Sequence, residues 1–250
     1  MKALILAAGY ATRLYPLTKD RPKPLLPLAD RPMIEYIMDK LLEVKEVDHL
    51  YVVTNHKFAG HFQDWQRKLS LSVTIVDDGT VSDEDKRGAI GDIHFVMERE
   101  GIADDLLIVA GDNLFDFKIT GLVEFFKKKG RHSSIVLYDV GDRELVKRYS
   151  TVTLDKEDRV IDFQEKPREP QTTLIAICLY LFPPATLKKK IAEYLNSGLN
   201  PDAPGYFISW LCKEEPVYGY KVSGRWYDIG GFDSYNKADS EYRCRKENET

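Results

Sequence analysis

The sequence contains no long apolar run. The longest, TLIAICLYLF at residues 173–182, is about half of what a helix needs to cross a bilayer. The chain begins with MKALILAAG, whose apolar stretch is short for a secretory signal and soon gives way to TRLYP, so we interpret it as a strand. We therefore expect no membrane segment and no membrane partner.

Cysteine is scarce, and neither sign of charge dominates. Cys178, Cys212 and Cys244 are odd in number and widely separated, which argues against a disulfide framework or a zinc site and favours reduced thiols in a cytoplasm. The 40 acidic and 36 basic residues leave a net charge of -4, too small and too evenly spread to indicate binding to nucleic acid. We expect a cytoplasmic globular protein.

The first half of the chain alternates between strand-length apolar runs and helical patterns. Runs that are continuously apolar, rather than alternating, predict strands of a parallel sheet buried on both faces. Strands are expected at 3–8, 49–54, 72–76 and 106–110, and helices at 33–44, 56–69 and 89–100. This order predicts a doubly wound α/β arrangement.

After residue 130 the pattern becomes strand-rich. Antiparallel or mixed strands are expected within 133–140, 150–166 and 172–182, and helices at 185–196, 206–214 and 232–245. No serine- or glycine-rich linker and no internal repeat divides the sequence. We predict a single-domain, Rossmann-like three-layer α/β sandwich with a mixed, mostly parallel central sheet. It comprises residues 1–235, as a nucleotide-type half of about 1–115 and a strand-rich half, 116–235, followed by a helix end and tail at 236–250.

The loop after the first strand has the composition of a phosphate site. Ligands of open α/β sheets bind outside the carboxyl ends of the strands, and AAGYATR at residues 7–13 stands there. Small residues around Gly9 allow backbone N–H groups to approach a phosphate, and Arg13 adds a fixed charge. Neither G-x-G-x-x-G nor the P-loop pattern follows Gly9. From these residues alone, a polyphosphate cradle and a plain tight turn remain open.

Prolines 16, 22, 24 and 27 shape the rest of this loop. Each lacks a backbone donor and restricts the preceding residue, so we expect a stiff extended segment instead of a helix. Lys23 lies between Pro22 and Pro24, where its direction is restrained. A solvated basic loop is the alternative interpretation.

Residues 6–28, LAAGYATRLYPLTKDRPKPLLPL, resemble the signature of the sugar-1-phosphate nucleotidyltransferases, of the short glucose-1-phosphate thymidylyltransferase-like type. GDN at 111–113, EKP at 165–167 and WYDIG at 226–230 resemble three further motifs of this family, in the family's order. The sequence departs from the pattern at Ala8 and Ala11, where glycine is usual.

The resemblance implies a nucleoside triphosphate and a sugar 1-phosphate as substrates, with Mg²⁺ as cofactor. It implies catalytic roles for Arg13 and Lys23, and Mg²⁺ ligation by Asp112 and Asp228. The nucleotide-binding residues that it implies are Leu6, Ala8, Gly9, Tyr10, Ala11, Thr12, Asp77, Gly88 and Asp112. The sugar-phosphate-binding residues that it implies are Asn113, Tyr149, Glu165, Lys166 and Ala176, in the strand-rich half.

For some of these residues, a purely structural role is an alternative to the binding role. Asp112 also fits a helix N-cap, because GDN is turn chemistry, and Glu165 and Lys166 also fit an exposed ion pair. Asp77 and Asp78 stand where the family usually has glutamine. An ionised carboxylate only accepts hydrogen bonds, so the sequence leaves the choice of base open.

The sugar side also departs from the family pattern. Ser150 replaces a common glycine, and Ala176 and Cys178 stand where Asn or Thr and Gly often occur. These residues suggest a less polar pocket and, as a hypothesis, a deoxy, amino or unusual sugar.

Two other functions remain open. One is a cytidylyltransferase acting on phosphocholine or another alkyl phosphate, which an aromatic cage for the ammonium group would support. The other is a catalytically silent regulatory subunit.

The sequence ends about twenty residues after WYDIG, so the β-helical extension and acyltransferase activity of some relatives are not expected. A homo-oligomer is possible by analogy.

Overall fold

A computed structural model describes residues 1–248 of the chain. The strands are β1 (Lys2–Leu6), β2 (Pro27–Leu28), β3 (Arg31–Pro32), β4 (His49–Thr54), β5 (Val73–Asp77), β6 (Leu106–Ala110), β7 (Asn113–Phe115), β8 (Ser134–Asp139), β9 (Ser150–Leu154), β10 (Val160–Glu165), β11 (Leu174–Phe182), β12 (Tyr218–Val222) and β13 (Trp226–Asp228). The helices are α1 (Met33–Leu42), α2 (His56–Gln66), α3 (Gly88–Glu100), α4 (Thr120–Lys128), α5 (Arg143–Val146), α6 (Ile191–Asn196), α7 (Pro204–Glu214) and α8 (Phe232–Asn248).

Seven strands form one central sheet in the order β12, β8, β11, β6, β1, β4, β5. β1 pairs in parallel with β4 and β6, β4 with β5, and β8 with β12, whereas β11 runs antiparallel to β6 and β8. The predicted mixed, mostly parallel sheet is confirmed. Leu6 pairs with Val53 on β4 and with Ala110 on β6, so the carboxyl ends of these three strands meet at one edge.

Helices cover both faces of this sheet. Successive strand residues point to opposite faces. On β1, Ala3 and Ile5 face a core with apolar residues of α1, α2, α4 and α8, whereas Leu4 faces a second core with residues of α3, α6 and α7. The predicted three-layer sandwich is therefore confirmed.

The strand-rich part continues the same sheet. β8, β11 and β12 extend it beyond β6, while β9 and β10 form a separate antiparallel pair that contacts β11 and α7. The sheet has no break near residue 115, and the division into two halves stays a prediction. Of the predicted tail, residues 249 and 250 lie outside the described residues.

The opening loop differs from the extended segment that its prolines predict. Two 3₁₀ turns, Thr12–Leu14 and Lys23–Leu25, interrupt it, with extended backbone at Pro22 and Leu26. The expectation of an uninterrupted extended loop was wrong because proline is compatible with the first turn of a helix, where its missing N–H is not needed. Pro24 occupies such a position.

Two findings on residues 1–248 concern disulfide bonds and membrane-spanning helices. The cysteines among them form no disulfide. None of the helices described has both the length and the apolar character that crossing a bilayer requires.

Candidate active site

Lys23, Asp112 and Asp228 lie together at the carboxyl edge of the sheet. The Lys23 Nζ donates to Asp112 Oδ2 at 2.5 Å and to the Ile229 carbonyl oxygen at 2.6 Å. β7 and β13 pair antiparallel so that Asp228 stands opposite Asn113, next to Asp112. Lys23 thus connects the opening loop to two segments that lie 89 and 206 residues away in sequence.

Close backbone packing aims Lys23 at this centre. Gly111 follows β6, and its N–H donates to the Leu6 carbonyl oxygen at 2.8 Å. A Cβ at Gly111 would lie 2.9 Å from Pro24 Cγ and 3.0 Å from the Leu6 oxygen. Only glycine therefore allows Pro24, and with it Lys23, to approach this strand end.

Asp228 is a half-buried carboxylate near one other carboxylate, Asp112, and two cations, Lys23 and Arg13. Burial, and then the charge of Asp112, raise its pKa, whereas Lys23 and Arg13 act in the opposite direction. The Tyr149 hydroxyl donates to Asp228 Oδ2 at 3.2 Å. Burial and the Asp228 charge in turn raise the pKa of Tyr149, so this phenol remains a donor at neutral pH.

The two aspartates are suited to a magnesium ion that is completed by substrate. Among residues 1–248, no group of three or more His, Cys, Asp or Glu side chains could hold a metal ion by itself. Mg²⁺ usually takes one or two carboxylates and fills its other positions with phosphate oxygens and water. Burial and then the charge of Asp112 raise the pKa of Asp228, and a cation bound between the two carboxylates would offset both effects. The donor set therefore fits Mg²⁺, and the metal assignment stays a prediction.

The loop after β1 is held by Asn55, which lies outside the sequence motif, and by Thr18, which belongs to it. Asn55 Nδ2 donates to the Ala8 carbonyl oxygen at 2.8 Å, and Thr18 Oγ1 donates to the Ala11 oxygen at 2.8 Å. Ala11 itself has a left-handed φ of 49°, which explains why glycine is common there in the family. Asn55 follows β4 at the same sheet edge, and this position was a signal that sequence reasoning missed.

A cavity of about 220 Å³ borders this loop, and Leu6, Gly9, Ala11, Arg13, Lys23 and Asp112 line it. Most of the residues predicted to bind the nucleotide lie on it or beside it. Tyr10 is buried, and its hydroxyl oxygen lies 3.4 Å from Thr80 Oγ1. Thr12 belongs to the first 3₁₀ turn.

A second cavity, of about 390 Å³, lies between the sheet edge and the β9–β10 pair. All five residues predicted to bind the sugar phosphate line it: Asn113, Tyr149, Glu165, Lys166 and Ala176. Arg13, Asp112 and Asp228 line it as well. We call it the acceptor cavity. Arg148, Gly205 and Trp226 also line it and were missed by the sequence reasoning.

Glu165 and Lys166 do not form the exposed ion pair that was their alternative. Burial raises the pKa of Glu165, and Lys166 acts against this rise. Among the described ion pairs, none joins these two side chains within 4.0 Å. Lys166 has a left-handed φ of 48°, and its N–H donates to the Tyr149 carbonyl oxygen at 2.6 Å. This constraint sets both side chains on the wall of the acceptor cavity.

The predicted base-binding residues lie apart from both cavities. Asp77 Oδ2 is 2.7 Å from His56 Nδ1, and its Oδ1 accepts from the Gly79 N–H at 2.9 Å. Gly88 has a φ of 75°, and a Cβ there would lie 2.7 Å from the Pro201 carbonyl carbon. The contacts of Asp77 and Gly88 with a nucleobase stay predictions. The Tyr10 and Thr80 contact connects their loop to the phosphate loop.

The open, mostly parallel sheet, with the glycine-containing loop after β1 and two aspartates at the same edge, is typical of α/β proteins that bind a ligand beyond the carboxyl ends of their strands. The chain belongs to the nucleotidyl transferase family, whose family model matches residues 2–245. The family resemblance that the sequence motifs carry is therefore confirmed.

Curated relatives and a solved structure agree with this assignment. The chain is 31% identical over 249 residues to UTP–glucose-1-phosphate uridylyltransferase of Synechocystis sp., covering 95% of this chain and 62% of that protein. It is 31% identical over 237 residues to bifunctional protein GlmU of Methanocaldococcus jannaschii, covering 92% and 51%. The chain thus spans between one half and two thirds of the length of these relatives.

The fold is similar to that of UDP-glucose pyrophosphorylase, solved in complex with UDP-glucose. The TM-score is 0.82 at 21% identity, and the match covers 98% of both chains. At this identity the likeness shows the fold alone, and it confirms the predicted fold class.

Proposed function

We propose that this chain transfers a nucleotidyl group from a nucleoside triphosphate to a sugar 1-phosphate, giving a nucleotide-activated sugar and pyrophosphate. The proposal is based on the convergence of Lys23, Asp112 and Asp228. They lie where the cavity of about 220 Å³ beside the opening loop meets the acceptor cavity. Arg13 and Asp112 line both cavities. Two substrates bound there would meet at these charges.

The reaction joins two anions, so positioned positive charge is its main requirement. An oxygen of the sugar phosphate attacks the α-phosphorus in line and pyrophosphate leaves, without a covalent nucleophile on the protein. Lys23, held by Asp112 and the Ile229 carbonyl, would offset charge on the α-phosphate or the attacking phosphate, and Arg13 would offset charge on pyrophosphate. When bound at Asp112 and Asp228, Mg²⁺ supplies further stabilisation of phosphate charge.

The acceptor cavity suits a partly apolar sugar. Glu165 would accept hydrogen bonds from sugar hydroxyls, Lys166 would contact the sugar's phosphate, and Asn113 and Tyr149 would complete the polar wall. Ala176 and Cys178 offer little hydrogen bonding in comparison, which supports the hypothesis of a deoxy, amino or otherwise unusual sugar. The Synechocystis relative, named for UTP and glucose 1-phosphate, supports a sugar 1-phosphate as the acceptor class.

A matrix of nucleoside triphosphates against sugar 1-phosphates, with Mg²⁺ and scored by pyrophosphate release, tests the proposal. We expect Asp112→Asn and Lys23→Ala each to lower turnover by on the order of 10²- to 10³-fold, because each removes a charge at the reacting phosphates. Exposed Asp20→Asn and Lys19→Ala in the same loop are the matched controls. Circular dichroism reports whether each variant is folded. Near wild-type turnover in both site variants would refute the assigned roles.

A cytidylyltransferase for phosphocholine is the second candidate. Tyr149 and Trp226 meet edge to face at 5.3 Å on the wall of the acceptor cavity, which also contains the Glu165 carboxylate. Aromatic faces beside a carboxylate are suited to a quaternary ammonium group. The matrix therefore includes CTP with phosphocholine. Nucleotide binding without turnover in every combination would instead support a silent regulatory subunit.

A further inference from the structure

A third cavity, of about 600 Å³, adjoins the acceptor cavity and has no assigned ligand. The two cavities share four residues: Arg13, Arg148, Tyr149 and Asp228. The other residues that line the third cavity are 230–234, which comprise two glycines and the start of α8. Glu165 and Lys166 line only the acceptor cavity.

Arg148 reaches this shared wall from a constrained turn. Its N–H donates to the Leu145 carbonyl oxygen at 3.1 Å, and the N–H of Tyr149 donates to the Val146 oxygen at 2.9 Å. The backbone is thereby fixed just after α5, while the Arg148 side chain is exposed. The neighbouring Lys147 instead forms an ion pair with Glu144 at 2.6 Å, away from the cavity.

Two unpaired guanidinium groups face this space. Within residues 1–248, neither Arg13 nor Arg148 makes a salt bridge or a side-chain hydrogen bond in the structure. The acidic groups on the cavity wall are Asp228, which accepts from Tyr149, and Asp233 at the start of α8. Arginine presents a planar fork of donors that matches phosphate oxygens in pairs. Two guanidinium groups without an ion-pair partner, beside the reaction centre, are suited to binding a multiply charged phosphate.

We propose that Arg148 acts with Arg13 to bind the pyrophosphate moiety, as the β- and γ-phosphates of the triphosphate and as free pyrophosphate in the reverse reaction. This inference rests on the proposed function. In-line displacement places the leaving group opposite the attacking oxygen. The acceptor phosphate already has Lys166 within its own cavity, whereas the third cavity contains both arginines but neither Glu165 nor Lys166.

Arg148→Met tests the inference in the reverse reaction, with a nucleotide sugar and pyrophosphate as substrates. We expect the KM for pyrophosphate to rise by about tenfold or more, as for the loss of a charge-assisted contact, while the KM for the nucleotide sugar stays within about twofold. Arg148→Lys should recover part of the loss. Lys147→Met removes the same charge one residue away and should leave both KM values unchanged.

Calorimetric titration with magnesium pyrophosphate gives a second readout that needs no turnover. An unchanged pyrophosphate KM and affinity in folded Arg148→Met would overturn the inference, as would a rise confined to the KM of the sugar 1-phosphate. If the wild type has no activity with any substrate pair, the proposed function fails. Pyrophosphate binding that depends on Arg148 would then still support the site, and binding that is absent or independent of Arg148 would overturn it.

Discussion

At the scale of single residues, the position of the Glu165 carboxylate depends on a glycine. Gly205 lies in the first turn of α7, where a Cβ would fall 1.9 Å from Glu165 Oε2 and 2.7 Å from its Cδ. The carboxylate therefore packs directly against the Gly205 backbone. Any side chain at position 205 must displace it from its place on the acceptor cavity.

Gly205→Ala should weaken acceptor binding without unfolding the protein. The displaced group is the end of a flexible side chain, and alanine favours a helix more than glycine does, so the fold should tolerate the change. We expect the KM for the sugar 1-phosphate to rise roughly tenfold, as for a lost hydrogen bond to a charged group, with the KM for the triphosphate unchanged.

Gly60→Ala is the matched control, because Gly60 lies in α2 and an added Cβ there would have no neighbour within 4 Å outside its own helix turn. Its kinetics should equal those of the wild type. If Gly205→Ala leaves the acceptor KM unchanged while Glu165→Gln raises it, the packing of Gly205 does not control the carboxylate.

The sequence predicts some site residues much better than others. Arg13, Lys23, Asp112 and Asp228 stand in motifs whose order indicated that they share a site, and the structure brings them to the same sheet edge. Arg148 carries no such signal, because a turn after the four-residue helix α5 places it. Its position on the cavity wall depends on tertiary geometry that no local pattern encodes.

At the scale of elements, the contact between α3 and the end of β5 contains two buried carboxyl groups. Asp78 follows β5, and its Oδ1 accepts from the Thr80 N–H and hydroxyl at 2.7 and 2.8 Å. Asp92 on α3 is 6% exposed, and its Oδ1 has no hydrogen-bond partner within the described residues. Burial, and then the charge of Asp78, raise the pKa of Asp92 to about 8, against the smaller effect of Arg87.

This pKa makes stability depend on pH in a defined direction. Between about pH 4 and pH 8 the folded chain holds a proton on Asp92 that the unfolded chain releases, so the free energy of unfolding falls as pH rises through this range. Asp92→Asn removes the titrating group and keeps its shape. We expect the stability of this variant relative to the wild type to increase by about 4 kcal/mol between pH 5 and pH 8.5.

Urea unfolding at the two pH values measures this difference. Glu98→Gln, an exposed change on the same helix, should show no such increase. An equal effect of Asp92→Asn at both pH values would mean that Asp92 is ionised in the folded protein at pH 5.

In the first half of the chain, the bounds predicted from the apolar patterns agree closely with the observed strands and helices. β4 and β6 have the expected bounds, and α3 begins one residue before its expected start. The loop before α3 was not predictable in the same way, because Gly88 takes a positive φ against the Pro201 backbone, which is distant in sequence. The π-helical turn Thr186–Lys190 likewise has no signal in the lysine run that forms it.

At the scale of the whole molecule, the pairing of β6 with β11 joins the two predicted halves. Val109 and Ile108 on β6 pair with Leu179 and Tyr180 on β11 in the interior of the sheet. All four residues are buried. Separating the halves would expose this ladder and the apolar cores on both faces, so we expect the described chain to unfold as one cooperative unit despite its length.

Tryptophan fluorescence can test this expectation because Trp65 lies in the first half and Trp210 in the second. One variant, with Trp210→Phe and Trp226→Phe, retains only Trp65, and another, with Trp65→Phe and Trp226→Phe, retains only Trp210. Within each variant, urea transitions followed by fluorescence and by far-UV circular dichroism should coincide in midpoint and slope, because the slope reports the surface exposed by the whole sheet. Comparing both probes in the same variant removes any change in stability caused by the substitutions. A Trp210 transition that precedes the loss of circular dichroism would instead show that the strand-rich half unfolds as a separate unit.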